Sequence, residues 1–173
     1  ATAVLISPPT SPKMAQRLKG IIDDCEVKCV LAPGKVLDAM AMSLTTDSQI
    51  NTDTLEVGLE NHFTQQLISP EQLAFLQYSS GSTGSPKGVI ISHANLMANQ
   101  QAIAYHMQTT PETVAVGWLP MIHDMGLIGN VLHPIYQGST LIFMTPLHFI
   151  RKPLLWLKAI SKYRATVSRG PNF

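Results

Sequence analysis

Apolar and polar positions alternate along this chain with two periods, one of strands and one of helices. Residues 3–6 make a short apolar run, closed by Pro8 and Pro9, and read as a buried strand. Ser11 and Pro12 then supply a helix N-cap and a proline at the first helical position. Met14, Leu18, Ile21 and Ile22 follow at helical spacing and give that helix one apolar face. Residues 27–31 read as a second strand and residues 35–44 as a short helix. The texture changes at residues 45–58, TTDSQINTDTLEVG, whose polar character predicts a surface loop. Order returns with a strand over residues 73–78, a glycine-rich stretch, a strand over 89–91, and a helix from about His93 to His106 that Ser92 can cap. Further strands are predicted over 113–119, 141–144 and from 165 to 168, and further helices over 124–136 and 152–163. Strands separated by helices of this length imply crossover connections. The predicted fold class is therefore α/β, a mainly parallel sheet with flanking helices.

Composition narrows the classes of function. The chain has 173 residues, enough for one domain or a large piece of one. Charged residues make up 13%, well below the ~25% usual for soluble domains. So little charge implies extensive burial, or a surface normally covered by more protein. The formal net charge of +1 gives no global field to recruit nucleic acid or an acidic membrane. No run approaches the ~18 apolar residues of a membrane span, and no signal peptide is recognisable. Cys25 and Cys29 fit neither CxxC nor a zinc set, and read as buried reduced thiols in a cytoplasmic setting. The chain starts without Met in an apolar run and stops at GPNF after another, so it is expected to be an excerpt of a longer polypeptide.

The stretch YSSGSTGSPKG, residues 78–88, is the first that carries chemistry. Gly81, Gly84 and Gly88 let backbone approach a ligand closely, and successive N–H groups in such a loop make an anion-binding concavity. Ser79, Ser80, Ser82, Thr83 and Ser85 add hydroxyl donors, and Lys87 adds one mobile positive charge. The set suits a polyphosphate. It is not a Walker A loop: Pro86 stands where glycine belongs and Gly88 where Ser or Thr should meet Mg²⁺. The glycine spacing also fails the dinucleotide fingerprint. A Ser/Gly-rich turn between two strands of a hairpin fits the composition as well.

The second such stretch is LPMIHDMGLIG, residues 119–129. His123 beside Asp124 allows acid–base chemistry, while Asp124 can equally cap the helix that begins there. No GxSxG elbow and no HExxH occur, and the six histidines have no metal-ligand spacing.

The run LQYSSGSTGSPKG resembles the signature loop of the adenylate-forming (AMP-binding) superfamily, and Leu76 to Lys87 meet that pattern at every position. The continuation GVIISHANL is similar to the segment that follows in that family, and LPMIHDMGLIG with the later HPIYQGSTLIFMTPLHFI and GPNF most resembles fatty acyl-AMP ligases. The resemblance is strong over residues 73–173 and weaker before. It implies part of the large N-terminal domain of an adenylate-forming enzyme, truncated at both ends over residues 1–173. It implies attack of a fatty acid carboxylate on Mg-ATP, giving an acyl adenylate and pyrophosphate. The acyl group would then pass to an acyl carrier protein, or to CoA in the related acyl-CoA synthetases. Ser79, Ser80, Gly81, Ser82, Thr83, Gly84 and Lys87 would hold the β- and γ-phosphates, and His123 would lie near the acyl carboxylate and α-phosphate. Met125, Leu127, Ile128 and Val131 would line an acyl tunnel or simply pack as core. The family's adenine, ribose and C-terminal lysine motifs are not among these residues, so the 173-residue chain is expected to be inactive by itself. A non-catalytic remnant of the fold is the reading of another class. Arg169 departs from the pattern, standing where a small residue is expected.

Overall fold

The computed structural model describes residues 1–41, 48–79 and 86–170. They fall into two compact units, Ala1–His93 and Ala94–Phe173.

The first unit begins with β1 (Ala3–Val4), followed by α1 (Pro12–Asp24). Ser11 sits in extended backbone and its hydroxyl accepts from the Met14 N–H, the cap that the Ser-Pro pair predicts. Such a cap stabilises a helix by about 1 kcal/mol. Leu18, Ile21 and Ile22 are buried, whereas Met14, one turn earlier on the same stripe, is exposed and its sulfur accepts from the Thr10 hydroxyl. The second strand lies later than its apolar run suggests, as β2 (Val30–Ala32), and α2 (Gly34–Met40) follows. Leu18, Ile22 and Met40 form a common core between α1 and α2, with Ile6, Val27 and Val36 against it. Burying each of these three contributes about 1.5–3 kcal/mol.

Residues 48–58 of the polar segment predicted as a surface loop are mostly exposed but not irregular throughout. Gln49–Asn51 form β3, parallel to β2. A 3₁₀ turn over Thr52–Thr54 follows, and Asp53 accepts from the Gly34 N–H at 2.9 Å, satisfying the first turn of α2. Residues 42–47, the end of the expected helix and the start of the expected loop, lie outside the described residues.

The principal sheet of this unit has the order β1-β4-β5, with β4 at Leu73–Ser79 and β5 at Lys87–Ser92. β1 runs parallel to β4, and β4 antiparallel to β5.

The second unit is a parallel sheet of order β7-β6-β8, with β6 at Val114–Gly117, β7 at Thr140–Phe143 and β8 at Val167–Ser168. α3 (His93–Met107) leads into it. Between β6 and β7 the chain forms a π-helical segment, Met125–Leu132, continuous with α4 (His133–Gln137). Between β7 and β8 lie α5 (Pro146–Arg151) and α6 (Leu154–Tyr163). Four of the five strand pairings among the described residues are parallel, as the α/β reading expects. Trp118, just past β6, stacks on Phe149 at 3.8 Å, and Trp156 meets both rings edge-on. The Trp156 indole N–H donates to the Ser168 hydroxyl, which donates to the Val116 carbonyl, tying α6, β8 and β6 together.

Candidate active site

The glycine-rich stretch joins two antiparallel strands. Ser79 and Lys87 are direct register partners at its base, and Tyr78 pairs with Gly88 one step further in. Directly opposed residues share a sheet face and their neighbours take the other. The Ser79 hydroxyl and the Lys87 ammonium therefore emerge side by side, both exposed, at the mouth of the connection. Ser80, Gly81, Ser82, Thr83 and Gly84, the other sequence-nominated phosphate donors, lie outside the described residues.

The opposite face of the hairpin is braced by α1. The Tyr78 hydroxyl donates to Asp24 Oδ2 at 2.5 Å, and Arg17 reaches the Tyr78 carbonyl at 3.5 Å. Burial, then the bond to Asp24, pushes the Tyr78 phenol well above its ordinary value, so the hydroxyl keeps its proton. Burial also raises the Cys25 thiol, against a lowering contact from Tyr78. That thiol is not an activated nucleophile. The Tyr78 ring lies over Gly88, where an added Cβ would come within 3.0 Å of Cζ. Glycine at 88 thus lets the ring close on the hairpin. None of these α1 contacts leaves a local signature in the sequence, because the partners are 54 and 61 residues apart.

His123 belongs to the second unit. It follows β6 at the carboxyl edge of the parallel sheet, where α/β folds receive ligands. Its side chain is exposed, its N–H donates to the Pro120 carbonyl, and its own carbonyl accepts from Leu127 at 2.7 Å. Asp124 is a cap: its Oδ1 accepts from the Met125 N–H at 2.7 Å. Of the two uses open to Asp124, the geometry realises the structural one. Gly126 lies hard against the strand exit, where any Cβ would overlap the Pro120 carbonyl. Leu127 is buried, while Met125 is exposed.

One feature of this unit had no counterpart in the sequence reading, and a second stood there only as a departure from the family pattern. The first is a buried polar chain centred on His133. Its Nδ1 pairs with Gln100 Oε1 at 2.7 Å and its Nε2 with Thr109 Oγ1 at 2.8 Å. Gln137 Nε2 donates to both oxygens of Thr109. A neutral imidazole protonated on Nδ1 satisfies both ring nitrogens, with the Thr109 hydroxyl donating to Nε2, while the buried Gln100 Nε2 finds no partner among the described residues. Burial, and secondarily the Arg169 charge, hold the His133 pKa below its ordinary value. The second is Arg169 itself. Its guanidinium is partly buried and donates to the Gly129 carbonyl of the π segment and to Met107 Sδ.

The sequence profile of AMP-binding enzymes matches residues 1–172. The chain belongs to the AMP-binding enzyme family. Within that family it is similar to the medium-chain-fatty-acid–acyl-carrier-protein ligase TtuA of Teredinibacter turnerae, 43% identical over 148 residues, covering 86% of this chain and 22% of that protein. It is 33% identical over 178 residues to the ligase JamA of Moorena producens, which has the same descriptive name, covering 96% and 30%. Its fold is similar to that of a fatty acyl-adenylate ligase from L. pneumophila, solved with acyl adenylate and pyrophosphate. There the TM-score is 0.90 and the identity 38%, covering 98% of this chain and 30% of that one. The chain thus spans less than a third of the length of each of these relatives.

Proposed function

We propose that the polypeptide carrying this chain activates a fatty acid with ATP. A carboxylate oxygen attacks the α-phosphorus, the bond from that phosphorus to the β-bridging oxygen breaks, and pyrophosphate leaves as the acyl adenylate forms. The observation that carries this reading is the pairing of Ser79 and Lys87 at the mouth of the family's signature loop. Negative charge grows on the departing pyrophosphate, and a fixed hydroxyl and ammonium aimed at it stabilise that charge more than the ground state. Ser79, Ser80, Gly81, Ser82, Thr83, Gly84 and Lys87 hold the β- and γ-phosphates in this reading, with Lys87 also acting on the leaving group. His123, exposed at the carboxyl edge of the second unit's sheet, acts at the acyl carboxylate and α-phosphate.

Magnesium enters this reading on the ATP phosphates, which need at most one or two protein carboxylates beside them; among the described residues no three His, Cys, Asp or Glu side chains converge to hold a metal by themselves. Transfer of the acyl group to a carrier-protein thiol, in the cytoplasm, completes the reading. Its support is the similarity to TtuA and JamA, both named as acyl-carrier-protein ligases. CoA is the second candidate acceptor, and the acyl-acceptor assay with each thiol separates them.

Fatty-acid-dependent ATP–pyrophosphate exchange on the whole polypeptide tests the first half-reaction. Lys87→Ala should lower the exchange rate by about 10²–10³-fold, the usual cost of one lost charge-stabilising donor. An unchanged rate would leave the loop as a structural turn and favour a non-catalytic remnant.

A further inference from the structure

We infer that Arg169 is a positioning residue that holds the π-helical segment open by replacing a backbone hydrogen bond that Pro134 cannot make. In a π-helix each N–H reaches the carbonyl five residues back. The His133 N–H does so, donating to the Ile128 carbonyl. The next carbonyl, that of Gly129, would take its bond from residue 134, which is proline and has no N–H. The α-helical alternative, from His133, is already spent on Ile128. Gly129 is buried, so its carbonyl has no recourse to water. Arg169 Nη1 donates to that oxygen from outside the helix, and Nη2 anchors on Met107 Sδ of α3 at 2.9 Å.

Three sequence features become one device. Glycine at 129 leaves the guanidinium room, since a Cβ there would stand 2.8 Å from Arg169 Nη1 and the arginine would have to shift. Pro134 creates the vacancy that the guanidinium fills. Arg169 directly follows β8, so the arm that closes the helix is fixed by the sheet. The cost is a partly buried cation that forms no ion pair among the described residues, and burial lowers its pKa accordingly. A cation in that position is not needed for packing alone. Holding the π register sets the direction in which the segment leaves Asp124 and His123, the residues at its N-terminal end. The link from that direction to acyl binding rests on the adenylation reading; the link from Arg169 to the π register does not.

The experiment uses the whole polypeptide and three variants: Arg169→Met, Pro134→Ala, and the two combined. Amide hydrogen exchange, followed by mass spectrometry over residues 125–133, reads the helix directly. Arg169→Met should speed exchange there about tenfold, the size of one charge-assisted hydrogen bond. Adding Pro134→Ala restores an N–H at the vacant position, and the double variant should recover to within about threefold of the parent. Recovery by a second substitution cannot come from a protein that merely fails to fold. Unchanged exchange in Arg169→Met, or no recovery in the double variant, overturns the inference. In pyrophosphate exchange the KM for fatty acid should rise in Arg169→Met and fall back in the double variant, with the KM for ATP unmoved. A KM for ATP that rises equally overturns the positioning role. Absence of fatty-acid-dependent exchange in the parent would instead sink the adenylation reading, while the hydrogen-exchange result still decides Arg169.

Discussion

His133 shows how much one buried residue can set the conditions under which its unit is stable. Its two nitrogens are both engaged, by Gln100 and Thr109, and only the neutral ring fits both partners. The unfolded chain protonates near the ordinary 6.5, the folded one at lower pH because of burial and then Arg169. As pH falls below about 6.5 the unfolded state binds the proton first. Stability is therefore complete above that value and is lost as pH drops toward the folded pKa, with a slope of at most about 1.4 kcal/mol per unit. Urea unfolding at pH 7.5 and 5.5 measures this. The parent should lose more stability than His133→Gln over that interval, and equal losses would show that the imidazole is not kept neutral by folding. Lys87 is the opposite case, an exposed group whose expected effect is on rate through pyrophosphate exchange, with stability untouched.

Glycines act at the scale of the element, and two of them act for different reasons. Gly126 lets the start of the π segment fold against the carbonyl of Pro120, whereas Gly138 has open space around it but closes α4 at φ 66°. Gly126→Ala should cost about 3 kcal/mol by overpacking against rigid backbone. Gly138→Ala should cost only about 1 kcal/mol, the strain of a left-handed residue with a Cβ. Equilibrium unfolding of both variants compares them, and equal losses would refute the steric account of Gly126. The same contrast explains what could be read in advance. The Ser11 cap, the stripe of α1, β4 and the helix after Ser92 all follow from local chemistry and were legible. β3 was not, because its one apolar residue, Ile50, is solvent-exposed and the strand exists through its pairing with β2. α5 escaped although Thr145 and Pro146 spell a cap and a first turn, with the Thr145 hydroxyl accepting from the His148 N–H. The π register escaped because MGLIGNVL is apolar or glycine at every position but Asn130, so no polar face reports the number of residues per turn. For the site, Ser79, Lys87 and His123 stood out by residue type and spacing. Arg169 stood out only as a misfit, and its partners Gly129 and Met107 were beyond reach of any local pattern.

Across the molecule the low charge content acquires a physical counterpart. Large apolar residues such as Phe63, Ile135 and Ile150 are each at least 70% exposed. No helix among the described residues is long and apolar enough to cross a membrane. The relatives extend over more than three times the aligned length, which offers protein to cover such a surface. Residues 1–173 produced alone should therefore bind 1-anilinonaphthalene-8-sulfonate strongly while retaining α/β circular dichroism. A polypeptide of the relatives' length should bind it weakly. A dye-silent, monomeric 173-residue chain would show that these apolar positions need no cover.

The register of β4 with β5 turns the side on which the Lys87 ammonium emerges into a matter of odd and even. Ser79 and Lys87 share a face because they are opposed, and Tyr78 with Gly88 take the other, against α1. One residue added between Lys87 and Val89 would move the ammonium to the tyrosine side, while two would return it. Evolution can accordingly alter the chemistry of this strand residue by residue, but can change its length near the loop only in steps of two.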